Sequence, residues 1–139
     1  MRSIFRIAVL LTFVTHIPLT HARACGEDGD PCAEPFHIGK IATIVIEENW
    51  KATARHDGTK CEEEDQLTVD DVRDYLQRAG RISEHDAVVT LSFPPCSAHG
   101  TLTTENGRHA TWVIGLGGGG GSVLWTDTKE PVHLYCRRC

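Results

Sequence analysis

Six cysteines constrain this 139-residue chain more than any other feature of its sequence. An even number of cysteines in a small exported domain is typical of a disulfide framework, because such a domain buries too little apolar surface to dispense with crosslinks. The spacing favours a local Cys25–Cys32 pair and a Cys61–Cys96 pair across the domain. Cys136 and Cys139 then either close on each other or tie down the C-terminus.

The first 24 residues are typical of a secretory signal peptide. Arg2 and Arg6 form a basic start, residues 7–14 are apolar, and Ala22-Arg23-Ala24 supplies a cleavage site. The apolar run is too short to span a bilayer. We therefore expect cleavage after Ala24, no membrane attachment afterwards, and a single domain over residues 25–139 in the periplasm.

Loss of that segment makes the chain more acidic. The precursor carries 14 Lys+Arg and 19 Asp+Glu, for a net charge of −5. Cleavage removes Arg2, Arg6 and Arg23 and no acid, so 11 basic residues face 19 acidic ones and the mature charge is −8. Nucleic-acid binding needs a clustered positive face, so we expect no nucleic-acid partner and, if charge steers an encounter, a basic protein.

The periodic segments predict an α+β fold, with one main helix packed on an antiparallel β-meander and stapled by disulfides. Thr68 and Asp71 form an approximate capping box and Gly80 follows the last periodic residue, which predicts a helix over Thr68–Ala79. Residues 41–54 indicate two strands or one long bent strand. After the helix, five segments alternate in polarity and predict strands: "DAVVTLSF", "GTLTT", "HATWVIGL", "SVLWTD" and "PVHLYC".

The stretch "GLGGGGGSV", residues 115–123, contains the pattern G-x-G-x-x-G. A dinucleotide site needs a helix directly after these glycines, to receive the pyrophosphate at its N-terminus. The residues that follow are β-prone and end at Pro131. We therefore predict no cofactor, and we interpret the run as a mobile hairpin connection between the strands that carry Trp112 and Trp125.

Two cysteine-containing segments raise metal and redox alternatives. Cys96-x-x-His99 together with Cys136-x-x-Cys139 has the donor types of a zinc site, and the second pair alone has the spacing of a redox motif. Export favours disulfides over free thiolates, so we predict no metal site and keep a redox or zinc-binding protein as the alternative function. The remaining histidines and serines match no catalytic motif, so we predict no catalytic residues and a protein that is not an enzyme.

Three segments, "SFPPCSAHG", "ATWVIGLGG" and "LYCRRC", resemble parts of small exported bacterial proteins of unassigned function. The size, export and cysteine usage resemble those of periplasmic immunity proteins. That resemblance implies an inhibitor that occupies the active cleft of a toxin, of the cell-wall hydrolase or metalloprotease type. The candidate partner-binding residues are Ser97 and His99, the glycines Gly118 and Gly119, and the acidic residues Glu62, Glu63 and Glu64.

Overall fold

The computed structural model describes residues 29–53, 60–61, 66–91, 94–115, 117 and 119–139. The predicted signal peptide therefore lies outside the described residues. The elements within these ranges are β1 (Ile41–Ala52), α1 (Val69–Arg78), β2 (Gly80–Ile82), α2 (Glu84–Val89), β3 (Cys96–Thr104), β4 (His109–Gly115), β5 (Gly120–Trp125) and β6 (Val132–Tyr135). No helix in this part of the chain has the length and apolar character needed to cross a membrane.

The strands form one antiparallel sheet in the order β1-β3-β4-β5-β6-β2. Strands β3 to β6 are neighbours both along the chain and in the sheet, as in a meander. Strand β1 pairs with β3 at one edge, and β2 pairs with β6 at the other. The segment between β1 and β2, which contains α1, crosses from one edge of the sheet to the other.

The predicted fold class is wrong, because the sheet dominates the structure and the helices are short. Residues 86–93 were predicted as a strand, but residues 86–89 belong to α2 instead. The reason is local: the backbone N–H of Asp86 donates to the Ser83 hydroxyl at 3.0 Å, and acids occupy the first turn. Val88 and Val89 are exposed, so their apolar character did not mark a buried strand.

The predicted helix is confirmed, with Thr68 and Ala79 as its N-cap and C-cap. The capping box is reciprocal: the Asp71 N–H donates to the Thr68 hydroxyl, and the Thr68 N–H donates to the Asp71 carboxylate. The helix buries Val72, Tyr75 and Leu76. They belong to one apolar core with buried residues of the sheet, which include Ala98, Leu102, Trp112, Val123 and Leu134.

Residues 41–52 form one long bent strand, the second of the two arrangements expected from the sequence. Its pairing with β3 is interrupted by register shifts at three places, and each shift bends the strand. Asn49 joins β1 to the chain before α1, because its side chain donates to the Leu67 carbonyl and accepts from the Leu67 N–H. The next residue, Trp50, has a φ of 46°.

Replacing Thr68 by alanine is expected to lower the free energy of unfolding by about 1 kcal/mol at neutral pH, as for other lost N-caps. Hydrogen bonds from the Thr68 hydroxyl and backbone hold the pKa of Asp71 below its ordinary value of 3.8. A pKa that is lower in the folded than in the unfolded state stabilises the fold at pH values above the unfolded pKa. That contribution is lost as the pH falls through the folded pKa.

The cost of Thr68→Ala should therefore shrink as the pH is lowered below 3.8. Urea unfolding of both proteins at neutral and at acid pH measures this change. Asp70→Asn, which alters the neighbouring exposed acid in the same turn, is the matched control. An equal loss of stability at both pH values would contradict a charged capping box.

Candidate functional site

The sheet has two faces, and we call the one that packs against α1 the inner face and the opposite one the outer face. The alternating burial of β3 and β4 assigns side chains to the two faces. Strand pairing then aligns the outer residues in two adjacent rows. The first row is Val45, Thr101, Thr111 and Leu124, and the second is Glu48, His99, Val113, Ser122 and His133.

These two rows are weakly charged and partly apolar. Val45, Val113 and Leu124 are 47%, 41% and 39% exposed, so no described element covers this part of the outer face. The other side chains are mainly Thr, Ser and His, and Glu48 is the single Asp, Glu, Lys or Arg in the two rows. A flat surface of β-branched and hydroxyl side chains with few charges can be desolvated at low cost, which is a property of protein interfaces.

One end of the outer face is closed by the chain that follows α2. A Cβ added to Gly120 would lie 2.9 Å from Cδ1 of Leu91, and one added to Gly115 would collide with the Pro94 ring. Leu91 and Pro94 therefore lie against the sheet at this end. Val45, Val113 and Leu124 of the two rows remain exposed.

The polar centre of the outer face is a group of three side chains. Nδ1 of His99 lies 3.7 Å from one carboxylate oxygen of Glu48, and Nζ of Lys51 lies 2.6 Å from the other. The hydrogen bond from Lys51 is the main cause that lowers the pKa of Glu48. The imidazole of His99 is half-exposed beside this carboxylate and can hydrogen-bond to a bound protein.

The structure places the predicted partner-binding residues in different parts of the molecule. Ser97 and His99 lie on β3, in outer positions of the same strand, so they would meet a partner from a sheet face rather than from a loop tip. Gly119 lies elsewhere, because its carbonyl accepts hydrogen bonds from the Tyr75 hydroxyl at 2.9 Å and the Cys136 N–H at 2.8 Å. Gly118, Glu62, Glu63 and Glu64 lie outside the described residues.

Three glycines of the run, Gly119, Gly120 and Gly121, are packed closely by their neighbours, and interpreting the run as a hairpin connection accounts for only part of it. Gly120 and Gly121 belong to β5, so a strand follows the connection, and the expected absence of a following helix is confirmed. A Cβ on Gly121 would lie 2.7 Å from the Tyr75 hydroxyl oxygen. Gly119 has a φ of 62° and faces the Cys136 carbonyl so closely that a Cβ would collide with it.

The predicted Cys61–Cys96 disulfide is confirmed, and of the two arrangements expected for Cys136 and Cys139 the structure has the first, a bond between them. Cys61 pairs with Cys96, and Cys136 pairs with Cys139, with Cα separations of 5.9 and 5.6 Å. Cys25 lies outside the described residues, so its pairing with Cys32 stays a prediction. Because both sulfurs of each confirmed pair are bonded, they provide no thiolates for the zinc arrangement that the spacing around His99 suggested.

Sequence reasoning did not identify Val45, Val113 and Leu124 as site residues. Their period-two alternation was visible and places them on one side of their strands. It does not show which side of the sheet stays uncovered, because that depends on where the helices pack. Comparison with models of protein families, with curated proteins and with solved structures finds no match to this chain.

Proposed function

We propose that this protein is an exported inhibitor that binds another protein, in the manner of a periplasmic immunity protein blocking a toxin. The observation that carries the proposal is the outer face, where Val45, Val113 and Leu124 stay exposed in adjacent rows. Burying this surface against a partner removes apolar area from water, which is the main favourable contribution to most protein association.

The chemistry around the exposed aliphatic side chains defines the kind of partner. Thr101, Thr111 and Ser122 offer hydroxyls that both donate and accept hydrogen bonds. Glu48 and His99 provide an acceptor and a titratable ring near the centre. Since the whole chain is acidic, with a net charge of −5 before any cleavage, a partner with a basic surface around its binding site fits best.

Replacing Val113 by lysine is expected to weaken partner binding at least about tenfold, because an interface would bury an unpaired ammonium group. The matched control is Val88→Lys, which puts the same charge at a more exposed valine on α2. The partner is captured from periplasmic extract and identified by mass spectrometry. It is then titrated against both variants by calorimetry, and its own activity is assayed at a one-to-one ratio.

Equal binding by the Val113 and Val88 variants would show that the outer face is not the docking surface. Failure of the native protein to retain and inhibit any protein would remove the inhibitor function altogether. Both variants change a side chain that is exposed in the free protein. Thermal unfolding confirms beforehand that they are equally folded.

A second candidate function is thiol–disulfide exchange at Cys136–Cys139. It is favoured by one observation: the bond is formed, with Cys139 exposed beside a mostly buried Cys136. In such an exchange a dithiol substrate is oxidised to its disulfide, and the two cysteines take up its two electrons and two protons. A reduced peptide dithiol that is not oxidised by the native protein would eliminate this function.

A further inference from the structure

A cleft lies between α1 and the end of the sheet at the glycine-rich connection. This cleft has a volume of about 430 Å³. Trp50, Leu67, Tyr75 and Ile114 contribute apolar and aromatic surface to its walls, and the C-terminal disulfide borders it. We call it the Trp50 cleft. Its size and lining are those of sites that bind small molecules.

Glycine keeps the cleft open. Gly117 and Gly119 lie in its wall and have φ values of 76° and 62°, which side chains rarely adopt. Neither adds a side chain to the space. Part of the glycine-rich sequence is therefore used to form a concave surface.

Trp50 combines two unfavourable features in the wall of this cleft. It is the one non-glycine residue with positive φ among the described residues, at 46°, and a bulky side chain disfavours that conformation. Its side chain is only 7% exposed, and its indole Nε1 is buried without a hydrogen-bond partner. The contrast is Trp112, whose Nε1 donates to the Thr101 carbonyl at 3.1 Å.

A buried donor without an acceptor costs free energy, and so does backbone strain; such features persist mainly where function needs them. We propose that the Trp50 cleft binds a neutral, apolar molecule bearing a carbonyl group, whose oxygen accepts the hydrogen bond of the Trp50 indole. Nε1 is buried in the free protein, so binding requires the indole to turn towards the cleft when the ligand enters. The ligand supplies the acceptor that the protein lacks.

The charges around the cleft explain why the ligand is neutral. Asp74 is paired with Arg78 at 2.6 Å, and Asp30 is paired with Arg137 at 2.7 Å. The Asp71 carboxylate is held by Thr68 in the capping box. Asp74 and Asp30 are each paired with an arginine and the Asp71 carboxylate is already hydrogen-bonded, so a neutral ligand need not compete for any of these charges. Recognition then depends on apolar contact and one hydrogen bond.

The inference is independent of the proposed inhibitor function, because the cleft and the outer face are different surfaces. The test is carried out on protein labelled with ¹⁵N, whose three tryptophans give three indole N–H signals. The probes are acetophenone, ethyl benzoate and N-methylbenzamide. The control probe is α-methylstyrene, which has the shape of acetophenone with a CH₂ group in place of the carbonyl oxygen.

We expect the Trp50 indole proton to shift downfield and saturate with at least one carbonyl probe, while the Trp112 signal stays in place. The control probe should bind about tenfold more weakly and cause no downfield shift. Trp50→Phe, which keeps an aromatic ring but removes the N–H, assigns the signal and should bind the carbonyl probes about tenfold more weakly.

The comparison of probes on the native protein tests the inference even if Trp50→Phe fails to fold. Absence of saturation with all three carbonyl probes would overturn it. Equal affinity for acetophenone and α-methylstyrene would also overturn it, because the indole hydrogen bond would then contribute nothing to binding.

Discussion

Replacing Gly100 by alanine is expected to lower the free energy of unfolding by about 3 kcal/mol, near the upper end of the usual cost of overpacking. Gly100 lies in the middle of β3 and pairs with Ile46 of β1 and Trp112 of β4. An added Cβ would collide with the Val45 carbonyl and lie 2.9 Å from Cζ2 of Trp112. The Val45 carbonyl is backbone, and the Trp112 side chain is fully buried, so neither can move at low cost.

The matched control is Thr101→Ala, which changes the next residue of the same strand but faces outwards. Urea unfolding followed by circular dichroism measures both variants. We expect the control to stay within about 0.5 kcal/mol of the native protein, as is usual for surface substitutions. If Gly100→Ala were equally harmless, β1 would not pack against β3 at the distance seen in the structure.

Removing the Cys61–Cys96 disulfide is expected to cost about 4 kcal/mol, and removing Cys136–Cys139 about 2 kcal/mol, by the loop-entropy model. The difference arises from loop length, since the first bond joins residues 35 positions apart and the second joins residues three apart. A longer closed loop restricts the unfolded chain more. The first bond also links the chain before α1 to the buried start of β3.

The variants are Cys61→Ala/Cys96→Ala and Cys136→Ala/Cys139→Ala, each with the other disulfide intact. Denaturant unfolding under non-reducing conditions gives the two losses of stability. Equal losses would show that loop length does not set the contributions of these bonds. The second variant also retains the outer face, so its partner binding should match that of the native protein.

Several features of this fold could be predicted because they depend on residues close together in the sequence. The capping box of Thr68 and Asp71 needs only four consecutive residues, and it positioned α1 correctly. Strands β4, β5 and β6 follow alternating segments that lie between turns. The two confirmed disulfides also agree with the pairs expected from cysteine spacing, although spacing alone allowed others.

The second helix was mispredicted although its signal is local as well. Ser83 followed by acids in the first turn is a helix start, yet Val88 and Val89 with the residues after them also match a strand. A short apolar run fits the period of a helix as well as that of a strand, and the tertiary structure decides between the two. Here the valines stay exposed and the chain after them lies against the outer face at Leu91 and Pro94.

The candidate site could be predicted less well than the helices and strands, because it depends more on tertiary structure. The sequence already contained His99, Ser97 and the alternation of Val113 and Leu124 with buried neighbours. It did not show that β1 and β2 lie at opposite edges of the sheet, or that part of the face opposite α1 stays exposed. Pairing between distant strands depends on the packing of the whole chain, so a pattern along one segment cannot specify it.

The sequence by itself determined the helix α1 and the alternation of the strands, because caps and periodicity act over residues whose spacing can be counted; cysteine spacing favoured the Cys61–Cys96 pair without fixing it. Only the tertiary structure decided which sheet face stays open, why Gly119 and Gly121 carry no side chain, and that the Trp50 indole is buried without an acceptor. Each of these depends on atoms from remote parts of the chain meeting at a few ångströms, and such distances exist only once the chain has folded.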